Sequence, residues 1–83
     1  MYQNYPNPFN PSTTIKFQIS EFRNVSLKIY DVLGKEISTL VNEKLQPGTY
    51  QVTFDGSGFP SGVYFCRLTA GNFSSVRKMV LLK

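Results

Sequence analysis

From residue 13 onward the hydrophobic positions recur at every second residue. Ile15, Phe17 and Ile19 alternate with Lys16 and Gln18, the pattern of a half-buried strand. Val25, Leu27 and Ile29 alternate with Ser26, Lys28 and Tyr30 in a second strand. Residues 37–43 give a third, weaker one, and Tyr50, Val52 and Phe54, spaced by Gln51 and Thr53, a fourth. Residues 63–70 form a fifth and residues 73–82 a sixth. The fifth is apolar on both faces. So is Met79-Val80-Leu81-Leu82, as in a strand covered on both sides or an edge strand that pairs with something.

Breakers punctuate this pattern. Residues 20–24 are short enough for a hairpin between the first two strands. Residues 31–36 form a turn with Gly34 at its positive-φ position. Pro47-Gly48 is a turn signal of type II character. Residues 55–62 are a Gly-rich loop, and Gly71-Asn72 occupies the two-residue hairpin position. Ahead of the strands, Pro6, Pro8 and Pro11 make residues 1–12 a linker or an ordered strap, for which Tyr5 and Phe9 are the anchors. The remaining domain spans residues 13–83. Its strand number and turn spacing predict an all-β fold, a small antiparallel immunoglobulin-like β-sandwich of about six to seven strands. The Cys…Trp…Cys signature of antibody domains is absent.

Composition narrows the chemistry. The 83 residues make one small domain. Seven Phe and five Tyr argue for a packed β-rich core and against disorder. There is no His, so the commonest general base and any His-containing triad are missing. The single cysteine, Cys66, allows no internal disulfide and no Cys-based zinc site. It sits between Phe65 and Arg67 as a small buried hydrophobe. No apolar run is long enough for a membrane-spanning helix. The formal charge of +4 lies wholly in residues 56–83, which hold Arg67, Arg77, Lys78 and Lys83 and no acid. That is a basic, solvated strand face and not the dense stripe nucleic acid requires.

No catalytic constellation emerges. Asp31 and Asp55 fall at strand ends beside glycine, where aspartate caps turns. The scattered carboxylates form no acidic loop for calcium, and a glycosidase pair, which two carboxylates would satisfy, finds little room for a sugar cleft in an 83-residue sandwich. The Gly-rich loop lacks the Lys-Ser/Thr ending of a phosphate loop. Tyr50, Phe54, Tyr64 and Phe65 read as core, with an exposed aromatic platform as the competing reading. From the residues alone the chain is a non-catalytic sandwich with a basic, apolar C-terminal strand, and no cofactor or metal is implied.

Beyond this, the segment Asn4-Tyr5-Pro6-Asn7-Pro8-Phe9-Asn10-Pro11-Ser12-Thr13-Thr14-Ile15 resembles the opening of the type A C-terminal sorting domain of the bacterial type IX secretion system. Tyr30-Asp31-Val32-Leu33-Gly34-Lys35-Glu36, Pro47-Gly48-Thr49-Tyr50, Ser61-Gly62-Val63-Tyr64-Phe65 and Lys78-Met79-Val80-Leu81-Leu82-Lys83 resemble its later segments, in order. The resemblance covers residues 4–83. One departure is Cys66, where family members often carry an aromatic.

The resemblance implies an immunoglobulin-like delivery module of Bacteroidetes-type bacteria, placed behind an upstream cargo such as a secreted enzyme or adhesin. Its implied partners are the type IX translocon and a surface sortase-like peptidase. The route leads through the periplasm to the cell surface or the medium. The candidate recognition residues are Gly62, Tyr64, Lys78, Val80, Leu82 and Lys83, with residues 73–83 docking by strand pairing or by charge. Gly62 would allow close backbone approach, and Tyr64 would anchor the strand beneath. The terminal strand is also an edge through which two copies could pair. Two other readings stand beside this one. One is a carbohydrate-binding or adhesive module, and the other an immunoglobulin-like domain of flagellar hook-cap type.

Overall fold

The structure is a computed structural model that describes residues 1–83. It contains six strands and no helix. These are β1 (Ser12–Ile19), β2 (Arg23–Tyr30), β3 (Glu36–Leu45), β4 (Gly48–Asp55), β5 (Gly62–Ala70) and β6 (Phe73–Leu81). They form two antiparallel sheets, β1-β4 and β3-β2-β5-β6. The sandwich expected from the alternation is the one that forms.

Each sheet presents one apolar face. β1 buries Thr13, Ile15, Phe17 and Ile19, and β2 buries Val25, Leu27 and Ile29. Tyr64, Cys66, Leu68 and Ala70 of β5 and Met79 and Leu81 of β6 join them, with Phe54 from β4. The hairpin expected at residues 20–24 does not form, because β1 pairs with β4 and not with β2. The short linker instead carries the chain from one sheet to the other. Two consecutive strands with one apolar face each bury those faces better against each other, across the sandwich, than side by side.

The β5–β6 hairpin forms as expected. Ala70 pairs with Phe73 across Gly71-Asn72, and Gly71 holds φ +59°. Gly34 has φ +84° in the turn after β2. There Asp31 Oδ1 accepts bonds from the Leu33 and Lys35 amides at 2.9 and 3.0 Å, the Asx cap predicted for it.

Residues ahead of β1 lie across the open side of the sandwich between β1 and β6. Tyr5 and Thr14 exchange backbone bonds of 3.0 and 2.9 Å, and the Tyr2 amide donates to the Lys16 carbonyl at 3.0 Å. Further along, the Phe9 amide donates to the Val80 carbonyl (2.9 Å) and the Leu82 amide donates to the Phe9 carbonyl (3.0 Å), a parallel bridge on the outer edge of β6. The Phe9 ring enters the core edge-on to Phe54, with centroids 6.0 Å apart. Buried Asn4 donates to Thr13 Oγ1 at 3.0 Å and to the Pro6 carbonyl at 3.2 Å, and Thr13 donates to the same carbonyl at 2.8 Å. This segment is therefore an ordered strap. Tyr5 is not one of its apolar anchors, being 81% exposed. It attaches through its backbone.

Candidate recognition surface

Five of the six candidate residues gather where β5 begins and β6 ends. In the hairpin register Gly62 faces Leu81, Val63 faces Val80, and Tyr64 faces Met79. Leu82 and Lys83 follow directly, and Lys78 lies farther up β6, opposite Phe65. Their environments differ. Tyr64 is buried on the inner face, and its hydroxyl donates to the Pro60 carbonyl at 2.6 Å. Val80 is half-buried on the outer face, with both backbone groups engaged. Leu82 is 53% exposed.

The two lysines differ in a way that matters. The Lys78 ammonium makes no hydrogen bond or ion pair within the chain, whereas its carbonyl accepts from the Gln3 and Asn7 side chains. Lys83 is tied down. Its Nζ donates to the Ser57 carbonyl at 2.7 Å and its amide donates to Ser61 Oγ at 2.9 Å. Asp55 lies close enough to feel its charge. Bonds from Ser57 first, and the Lys83 ammonium last, hold the Asp55 carboxyl below its ordinary value.

Strand pairing along residues 78–82 has an obstacle. The Val80 amide donates to Asn7 Oδ1, its carbonyl accepts from Phe9, and the Leu82 amide donates to Phe9. The strap thus already occupies the outward groups of this half of β6. The close approach assigned to Gly62 is not made inside the domain, where a Cβ would meet nothing within 4 Å. Its φ of +157° is what favours glycine. A close approach occurs instead at Gly56, where a Cβ would lie 3.0 Å from Leu81 Cδ2 and 3.1 Å from the Pro11 carbonyl.

Two features were missed in the sequence. The first is a repeated local device. Gly48-Thr49-Tyr50 and Gly62-Val63-Tyr64 both begin a strand on a glycine, at φ +155° and +157°. In both, the tyrosine hydroxyl donates at 2.6 Å to the carbonyl four residues back, Gln46 and Pro60. This ties each strand to the turn before it, as a tyrosine corner does. The Gly-x-Tyr spacing that the two strand starts share was the available signal. The second is the outer face of the larger sheet. The register aligns Tyr30 with Phe65 and Phe65 with Lys78, and beside them Lys28 with Arg67 and Arg67 with Val76. Three cations there frame an aromatic pair, and Glu36 is bridged to Lys28 at 3.3 Å. The Thr39 hydroxyl, and after it Lys28, lower the Glu36 carboxyl from its ordinary value.

No three His, Cys, Asp or Glu side chains gather as metal ligands, and no helix is long and apolar enough to cross a membrane. The family described as the secretion system C-terminal sorting domain matches residues 3–82. The chain belongs to this family. It is a sorting signal of type IX secretion, as the ordered motifs from Asn4 to Lys83 led one to expect, and its carrier is secreted or exported to the surface. No curated protein matches the chain. Among solved structures the sorting domain is similar to part of PorZ of Porphyromonas gingivalis, described as an essential bacterial surface component of the type-IX secretion system. The two share 22% identity with a TM-score of 0.71, over 96% of this chain and 11% of that one. The sorting domain thus spans about a tenth of PorZ's length, and the likeness is one of fold.

Proposed function

We propose that this sorting domain carries an upstream cargo from the periplasm through the type IX translocon, without catalytic action of its own, and that its C-terminal end is the part read. The family match over residues 3–82 carries this reading. A surface sortase-like peptidase then acts on the delivered protein. The folded end of the β5–β6 hairpin offers the translocon Lys78 and Lys83 as charges, with Leu82 and Val80 as apolar contacts and Gly62 as an open backbone. Tyr64 holds that end in shape from beneath. Docking by charge is favoured over strand pairing, because the strap covers the edge at residues 78–82. Charges on an exposed edge steer encounter over about 8 Å at physiological ionic strength and act mainly on the association rate.

The test is Lys78→Ala with Lys83→Ala in a full-length cargo. The double variant is expected to melt within about 4 °C of wild type, since exposed substitutions cost little, and to accumulate in the periplasm. Normal secretion of a folded double variant overturns the steering role. Lys78→Ala alone separates recognition from loop support, because only Lys83 contacts the loop between β4 and β5.

A further inference from the structure

The strap covers only half of the open side between the sheets. Beyond Met1 a cleft of about 500 Å³ continues between the end of β1 and the start of β6. Its apolar floor is Ile19, Leu68 and Ala70, and its rim is Gln18, Arg23 and Phe73. Phe73 is 55% exposed and Val76 is 51% exposed. β6 is the last strand of its sheet. The alternation that turns Val80 outward also turns Val76 and Ser74 outward, and no strand pairs with them.

The direction of the strap leads into this cleft. Residues 2–5 run antiparallel to β1, with Tyr5 opposite Thr14 and Tyr2 bonded to Lys16. Each step back along the chain therefore moves toward Ile19 and toward Phe73. Met1 is already in the gap. It packs on the core, its sulfur is 3.8 Å from Cys66 Sγ, and its carbonyl accepts a 3.0 Å bond from Arg77.

We infer that the cleft is the seat of the residues that join a cargo to Met1, which enter it as an extended segment flanking β6. This rests on the reading that a cargo precedes the domain. Tyr2 stands at Lys16 and Met1 one position on, so the positions from Gln18 to Glu21 take about four residues, or about 13 Å of extended chain. Side chains alternate in an extended segment. Met1 points inward, so the second and fourth residues ahead of it also point inward, onto Ile19, Leu68 and Ala70. The occupant is thus a short stretch with apolar residues at those two places and polar ones between. Its backbone meets the free groups of Val76 and Ser74. The tether then becomes part of the sandwich, and the cargo is held beside β6 instead of hanging from a loose thread.

Three six-residue extensions ahead of Met1 test this on the purified domain. One places Val at the second and fourth residues before Met1 among Ser and Thr. One shifts the Val pair by a single residue. One is Gly and Ser throughout. The in-phase extension is expected to raise Tm by about 4 °C or more over both others and to slow amide exchange at Val76 about tenfold. Equal Tm and unchanged Val76 exchange across all three overturn the proposal, as does equal stabilisation by the shifted extension. No secretion is measured, so failure of the sorting reading and failure of this one are told apart.

Discussion

Replacing Phe9 by alanine asks whether the strap belongs to the folded domain. Phe9 is 1% exposed, edge-on to Phe54, and bonded through both backbone groups to β6. Removing a buried Phe side chain costs about 3–5 kcal/mol, the transfer loss plus the cavity left behind. A chain of this size has a total stability of about 4–12 kcal/mol. The variant thus loses a quarter or more of it. With about 4–8 °C of Tm for each kcal/mol at this length, Phe9→Ala is expected to melt at least about 12 °C below wild type. Without the ring the Phe9 bonds fail too, so the Leu82 amide exchanges faster than the amides of β2. Tyr5→Ala is the control, since its side chain is in water, and it shifts stability by no more than about 0.5 kcal/mol. Thermal unfolding followed by circular dichroism, with amide exchange, reads all of this. A Phe9→Ala melt within about 4 °C of wild type would refute the reasoning, because the strap would then be a linker laid on an independent sandwich.

Other substitutions probe separate contacts. Gly56→Ala places a Cβ against Leu81 and the Pro11 carbonyl, one of them backbone, and is expected to cost about 1–3 kcal/mol by overpacking; a neutral denaturant midpoint contradicts the close approach. Tyr64→Phe removes a part-buried hydroxyl bond and is expected to cost about 1 kcal/mol, while Tyr50→Phe, whose bond is exposed, costs less; equal losses in urea unfolding contradict the ranking. Burial pushes the Cys66 thiol up to about 12. The folded state therefore keeps a proton that the unfolded chain releases near its ordinary value of 9.0. The stability this gives is whole below pH 9 and drains away as pH rises toward 12, at up to about 1.4 kcal/mol per pH unit. Cys66→Ala is expected to flatten that slope, and wild-type Cys66 to resist thiol reagents at pH 8 until the chain unfolds; rapid labelling of the folded domain contradicts the burial.

The strands were legible because each buries one face. Ile15, Phe17 and Ile19 or Val25, Leu27 and Ile29 announce themselves by period two. The partner of each strand was not legible. Nothing in residues 20–24 distinguishes a hairpin from a crossing between sheets, since that choice depends on what the apolar face finds opposite it. The strap was half legible, in its prolines and in Phe9, but its seat on β6 depends on contacts some seventy residues apart. For the same reason the close packing at Gly56 was not legible, whereas the approach expected at Gly62 concerns an outside partner. The two glycines look alike in sequence, and only the packing of Leu81 and Pro11 separates them. The candidate recognition end rests on ordered motifs and on the basic, apolar character of the last strand, because a surface read by another protein leaves no mark on the domain's own core.

The central claim is that this chain is itself a sorting signal, and a fusion measures it. Residues 2–83 are joined to the C-terminus of a periplasm-targeted fluorescent reporter in a host with a type IX system and in its translocon-deficient mutant. The account predicts reporter on the surface or in the medium of the competent host alone. Reporter held in the periplasm of both hosts, with the domain folded, would contradict it.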